Sequence, residues 1–278
     1  MKQKDVRKLL RQIIQIIFFV WMPALYTSAF SAVRYVIGQI RAGEPIEKNG
    51  FLVMFLTLCG FTIIFGRFFC GFACAFGSLG DGMYALSQWI QKKTKKKVKW
   101  FSMETGKKLQ KIKYIVLIGL IFIYGFGFME RFQGSSPWEV FSMLYTGKIP
   151  DFEYLAGWIL FVLILLGMCA KERFFCQYLC PMGAIFSWLP VLPFSVLRRD
   201  RKNCIPKCRA CQMKCPVSLE IEKDQKDGGE CIQCLACMDL CPKGNIHMGL
   251  PKTKGNEIII ILLKTALFIM ICLFAEKL

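Results

Sequence analysis

Apolar residues in this chain come in long runs, with the charged residues gathered between them. Four runs, Ile13 to Val36, Phe51 to Phe69, Tyr114 to Met129 and Leu155 to Ala170, read as helices crossing a hydrocarbon layer about 30 Å thick. A fifth, Ile258 to Phe274, carries Lys264 in its interior and is the weakest of the set.

Composition strengthens that reading. The 278 residues are 55% hydrophobic, with 25 Phe, yet the formal charge is +18, as expected for apolar spans joined by basic loops. Nucleic-acid binding is excluded as the use of that charge, because the cations fall between the runs and no groove-reading motif accompanies them. Their placement predicts orientation, since Lys and Arg of short loops stay on the cytoplasmic side. The N-terminal MKQKDVRKLLR holds five cations, and the segment Gln91 to Lys113 holds ten Lys against one Glu. The loops Gly38 to Gly50 and Glu130 to Glu153 hold two cations each, against two and four acids. The N-terminus and the lysine segment are therefore expected in the cytoplasm. Small residues in SAFSA, Ser28 to Ala32, offer a signal-peptide cut, but the first run is longer than an ordinary signal core, so its retention is expected.

The second and fourth runs each lead into the same word. Residues 67 to 74 read RFFCGFAC and residues 173 to 180 read RFFCQYLC, each followed at the same offset by a glycine, Gly77 and Gly183. Both copies come about twenty residues into spans of the same direction, near the inner face. The chain then reads as two helical hairpins related by an axis along the membrane normal. Cysteines four apart share a helix face, so two such helices in contact would gather Cys70, Cys74, Cys176 and Cys180, a soft donor set suited to an iron–sulfur cluster. The alternatives are buried thiols that only pack, or dithiols cycling with disulfides. Arg67 and Arg173 either offset thiolate charge or reach for lipid phosphates.

The densest motif follows. From Cys204 the chain reads CIPKCRACQMKCPVSLEIEKDQKDGGECIQCLACMDLCP, and Cys231, Cys234, Cys237, Cys241 and Pro242 match the bacterial ferredoxin run C-x2-C-x2-C-x3-C-P. The first half has one extra residue between Cys204 and Cys208 before the usual spacing through Cys211, Cys215 and Pro216. Each run supplies three ligands to one cubane and the fourth to the other. The expected sets are Cys204, Cys208, Cys211 and Cys241 for the first cluster, and Cys231, Cys234, Cys237 and Cys215 for the second. Zinc sites do not use this pair of runs, and disulfides do not suit a reducing cytoplasm. Cys59, Cys169 and Cys272 stand alone in apolar spans and read as packing residues. The single histidine, His247, excludes a haem held by two imidazoles of this chain and reads as a turn or surface residue. No phosphate loop and no nucleophile with a partnering base is present, so no substrate-converting site is expected.

Two membrane C-x3-C motifs followed by a two-run ferredoxin module resemble the polyferredoxin-type membrane proteins of the NapH and NosR groups, over roughly residues 10 to 245. That family's membrane motif is C-x3-C-P, which Cys176 to Pro181 satisfies, whereas Ala75 stands in the proline's place in the first copy. The expected fold is mainly α: a polytopic membrane domain of two parallel-repeat hairpins at 1–197, a cytoplasmic 2[4Fe-4S] ferredoxin module at 198–252, and a fifth transmembrane helix at 253–278. The resemblance implies a prokaryotic cytoplasmic membrane. It further implies electron transfer between a quinone or soluble ferredoxin and an extracytoplasmic flavin-, haem- or copper-containing partner. A redox sensor or metalloprotein assembly factor is the alternative. The aromatic stretch Gly134 to Tyr145 is a candidate outer docking surface, with an interfacial aromatic belt as the competing reading.

Overall fold

The computed structural model describes residues 3–95, 106, 108–128, 134–199, 204–219, 229–248 and 257–276. Most of the lysine-rich segment lies outside them. Among the described residues the chain is helical apart from one two-stranded sheet.

The first apolar run is not one straight helix. It divides into α1 (Gln3–Trp21) and α2 (Leu25–Ala42), bent by 59°. Pro23 lies at the break, and having no backbone N–H it cannot continue the helical ladder. Helix α3 (Gly50–Phe65) starts where Asn49 Oδ1 accepts the Leu52 N–H at 2.8 Å, and it stops at Gly66. Gly66 has φ +71°, a conformation that costs a side-chain-bearing residue strain. A tight π-type turn, Phe69–Ala73, then leads into α4 (Ala75–Thr94).

The second half repeats this order with α5 (Ile112–Gly125), α6 (Pro137–Tyr145), α7 (Leu155–Ala170), the short α8 (Phe174–Tyr178) and α9 (Pro181–Trp188). The ferredoxin region follows: β1 (Leu197–Arg199), α10 (Ala210–Met213), α11 (Ala236–Leu240) and β2 (Ile246–Met248), with β1 antiparallel to β2. Helix α12 (Glu257–Glu276) closes the described chain and packs on α3. His247 therefore sits on a strand opposite Arg198.

Two segments, Phe152–Ala170 and Glu257–Ala275, are long and apolar enough to cross a membrane, and the bent pair α1 and α2 passes the same test only when its two helices are taken together. Helices α3 and α5 are apolar but shorter. Helices α7 and α12 expose Ile159, Leu163 and Leu166, and Leu263, Met270 and Phe274, faces that suit lipid.

The aromatic stretch before α7 differs from the docking surface or belt read from sequence. The Ser136 hydroxyl accepts the Glu139 N–H and Pro137 occupies the first turn, so the segment folds as helix α6. That helix turns Trp138 inward, where its ring stacks on Phe30 at 5.0 Å, and it buries Phe141 against Phe76 at 4.6 Å. These rings belong to the core beneath the second cysteine motif, where Phe175 also packs.

Candidate metal centres

Both copies of the repeated word leave their apolar helix through a short helical turn, π-type in the first and α-type in the second. The first cysteine lies in a tight helical turn and the second caps the next helix, with φ, ψ of −71°, 119° at Cys74 and −73°, 111° at Cys180. The pair is thus not displayed on one continuous helix, as the four-residue spacing suggested. Ala75 supports this geometry without proline.

The repeated glycines explain themselves here. Gly183 N–H donates to Cys180 Sγ at 3.1 Å, and the Gly77 N–H bonds the Cys74 thiol in the same way. Each glycine also lies under the arginine of the other copy. A Cβ on Gly77 would collide with the Arg173 guanidinium, and one on Gly183 would stand 3.1 Å from Arg67 Nη2. Neither arginine reaches for lipid: Arg67 is 2% exposed and Arg173 is 1% exposed. Arg173 donates to Cys70 O at 2.5 Å and to Gly71 O at 3.2 Å, and its Nε and Nη2 hold both oxygens of Asp81 at 2.7 Å. Arg67 reaches Gly229 O at 3.1 Å and Glu230 Oε2 at 3.4 Å. Arg173 thus clasps the first copy, whereas Arg67 ties the membrane motif to the ferredoxin region.

Cys70, Cys74, Cys176 and Cys180 are all buried and lie within electrostatic range of one another. Arg67 Nε and both amide atoms of Gln177, which follows Cys176, are buried without a partner. A buried donor left unsatisfied costs about 1–3 kcal/mol, and sulfur acceptors are what a thiolate-ligated cluster adds beside Arg67. The donor set and this surplus donor fit an iron–sulfur centre.

The eight cysteines of the ferredoxin region face two cavities. Cys204, Cys208, Cys211 and Cys241 line one, beneath Ile205 and Ile246; Cys215, Cys231, Cys234 and Cys237 line the other, with Val196, Leu219 and Ile232. Backbone N–H groups of Leu219 and Asn245 point at Cys215 and Cys241 Sγ at 3.4 and 3.3 Å, and Arg199 Nε approaches Cys204 Sγ at 3.1 Å. Among the described residues no three His, Cys, Asp or Glu side chains close around a single ion. Four cysteines around each cavity match the ligand count of a cubane cluster. Burial, with neighbouring thiols adding to it, pushes Cys231 up to about 12 and Cys215 up to about 11. Without metal they are neutral, so loading must release their protons.

The second cavity sits directly on the first membrane motif. Gly71 lies so close to the 231–234 run that a Cβ there would strike Ile232 O and stand 3.5 Å from Cys234 N. Gln233 is buried between them and donates to Ser195 O at 2.7 Å. Glu230 is the anchor of this contact: it accepts from Lys113 and from the Tyr114 hydroxyl at 2.8 Å, and it pairs with Arg67. Burial alone would raise the Glu230 carboxyl, but Arg67 and Lys113 outweigh it and hold the group below its ordinary range. Asp81, Lys113, Glu230 and Gln233 were not singled out from sequence. Their only signal is a charged or polar residue beside an apolar run or a ligand cysteine.

The sequence model of the 4Fe-4S binding domain family matches residues 50–97 and 154–202, one match across each membrane motif. Protein MJ0750 of Methanocaldococcus jannaschii is 30% identical over 247 residues, covering 86% of this chain and 94% of that protein. The ferredoxin-type protein NapH of Haemophilus influenzae is 26% identical, over 67% of this chain and 66% of NapH. This chain belongs to the polyferredoxin-type family of membrane iron–sulfur electron-transfer proteins. The regulatory protein NosR of Stutzerimonas stutzeri is a larger relative: 26% identity extends over 63% of this chain but only 23% of NosR. No solved structure matches the chain. The first cysteine word and the 231–234 run are in contact here at Gly71, with the Arg67–Glu230 pair joining the membrane motif to the ferredoxin region.

Proposed function

We propose that the protein is an electron-transfer subunit that carries electrons between its cytoplasmic ferredoxin module and a partner on the outer face of the membrane. When bound, two [4Fe-4S] clusters at the ferredoxin cavities and a further iron–sulfur centre at Cys70, Cys74, Cys176 and Cys180 supply one-electron relay stations. The observation that carries this reading is the seating of the 231–234 run on Gly71. Cys70 and Cys234 then belong to adjoining backbone segments. The membrane domain holds both sets rigidly: Arg173 and Asp81 lock the two cysteine words together, and Glu230 fixes the module above them.

A lipid-soluble or partner-borne carrier takes the path onward. Helices α2, α5, α6 and α7 line an apolar cleft of about 880 Å³ that runs from Phe175, beside Cys176, to the Arg34–Glu139 ion pair and opens outward along Leu160 and Leu163. Its size, apolar wall and polar end suit a quinone headgroup and the start of its tail.

Iron and sulfide content and low-temperature electron resonance during stepwise reduction test the proposal. The quadruple Cys70, Cys74, Cys176 and Cys180 to Ser variant should lose iron while keeping both ferredoxin signals. Unchanged iron with lost electron transfer would replace the membrane centre by a dithiol pair. Reversible reduction without onward transfer at catalytic rates would favour the sensor or assembly reading.

A further inference from the structure

The C-terminal helix brings a charge to the ferredoxin module. Lys264 lies near the middle of α12 and is 5% exposed. Its Nζ donates to Gln233 Oε1 at 3.3 Å and to Phe65 O at 3.4 Å, and it touches Met248 Sδ at 3.3 Å. The faces of Phe65 and Phe68 stand 5.5 and 6.0 Å from it.

No carboxylate is among these partners. The other deeply buried cations of this region have one: Asp81 for Arg173, and Glu230 for Arg67 and Lys113. A lysine in the interior of an apolar span is expensive and needs a named partner. Carbonyls and ring faces solvate the ammonium but do not neutralise it. Among the described residues the acidic group that acts on Lys264 is the Cys231 thiol, and Gln233 ties the lysine to the loop between Cys231 and Cys234.

We infer that Lys264 is the counter-charge of the cluster held by Cys215, Cys231, Cys234 and Cys237, and that α12 thereby raises that cluster's reduction potential. The inference rests on the ligand assignment proposed above. Four thiolates around iron give a net anion, and reduction adds one electron from the donor with no bond formed or broken. A fixed cation alongside favours the reduced form. At an effective interior dielectric of about 20, a unit charge roughly 12 Å from the redox centre shifts the reduction equilibrium by about tenfold, equivalent to about 59 mV for a one-electron couple. Lys264 is a positioning residue, acting through space and through Gln233.

The test is a potentiometric titration of the iron-loaded, full-length protein in detergent, read by electron resonance. It compares wild type with Lys264→Met, which keeps the length and removes the charge, and Lys264→Arg, which keeps the charge. The signal that disappears in Cys234→Ser identifies the cluster, and the other ferredoxin signal is the internal control. Lys264→Met should lower the potential of the identified signal by about tenfold in the equilibrium and leave the control in place. Lys264→Arg should restore most of the wild-type value. A loaded Lys264→Met protein with unshifted potentials, or equal shifts in Met and Arg variants, overturns the role of Lys264 alone. Wild-type iron content too low for a cluster at these four cysteines overturns the ligand assignment, and the inference with it.

Discussion

Gly71→Ala gives a sharp measure of how closely the ferredoxin module is joined to the membrane motif. The added methyl would strike Ile232 O and lie 3.5 Å from Cys234 N and Gln233 C. All three are backbone atoms, and Gly71 itself is backbone in a tight turn, so no side chain can swing aside. Overpacking in a filled interior costs about 1–3 kcal/mol, and two rigid partners put this site at the upper end. A loss of about 3 kcal/mol weakens docking of the 231–237 run by roughly a hundredfold. Gly60 on α3 is the control, because nothing stands within 4 Å of the position its Cβ would occupy. There the helix gains about 1 kcal/mol from alanine, so the two substitutions have opposite signs. Thermal unfolding in detergent, followed with iron retention, reads both. Gly71→Ala should unfold earlier and lose the iron assigned to Cys215, Cys231, Cys234 and Cys237, while Gly60→Ala does neither. If Gly71→Ala matches Gly60→Ala in both measurements, the contact between run and motif is not tight and the reading that rests on it fails.

Two further outcomes follow from the same geometry. Glu230→Gln leaves Arg67 and Lys113 buried without their carboxylate and should cost about 3–5 kcal/mol of module docking at neutral pH. Because the Glu230 carboxyl is held below its ordinary range, its contribution is full above about pH 4.3 and is lost as pH falls through the lowered value; acid release of the module should therefore lose this component in the variant. Cys237→Ser should remove one ferredoxin cluster's iron, whereas Cys59→Ala and Cys169→Ala should leave the iron content unchanged.

The parts of this protein that depend on short spacing were legible in the chain. Cys-Pro turns end each ferredoxin run, and the last cysteine of a run is carried away from the first three, so Cys215 and Cys241 face the opposite cavity. The apolar runs likewise marked the helices, because lipid-facing surfaces need no polar stripe. What escaped was set by partners remote in sequence. Arg67 and Glu230 are 163 residues apart, and Arg173 and Asp81 are 92 apart, so no local pattern could pair them. Trp138 was misplaced for a related reason. Its segment is polar enough at Ser135, Ser136 and Glu139 to read as a loop, but a capped helix turns its aromatic face toward Phe30 of the other hairpin and Phe175 beyond α7. The bend at Pro23 was visible as a proline, yet run length alone treats both sides as one span.

A break in the repeat explains why Arg67 takes its carboxylate from the ferredoxin module. Asp81 neutralises Arg173 from the opposite copy, and the residue at the matching offset in the second copy, which ought to neutralise Arg67, is Ser187. Its hydroxyl pairs with the Tyr114 hydroxyl at 2.9 Å and carries no charge to offer. Arg67 is left needing an anion, and Glu230 of the ferredoxin module supplies it, with Gly229 packed so close to Ser187 that a Cβ would meet the Ser187 carbonyl. Restoring the symmetry should therefore undo the docking. Ser187→Asp would give Arg67 a carboxylate from within the membrane domain and set it against Glu230 across Tyr114, with like charges now sharing one buried site. The membrane fold should persist, since Asp81 already satisfies the same geometry in the first copy. The module should become more open to protease and its cluster more readily lost, while Ser187→Ala, which adds no charge, should leave both close to wild type. Equal protease resistance in the Asp and Ala variants would mean that Arg67 is not short of an anion, and that contacts other than Glu230 decide where the module sits.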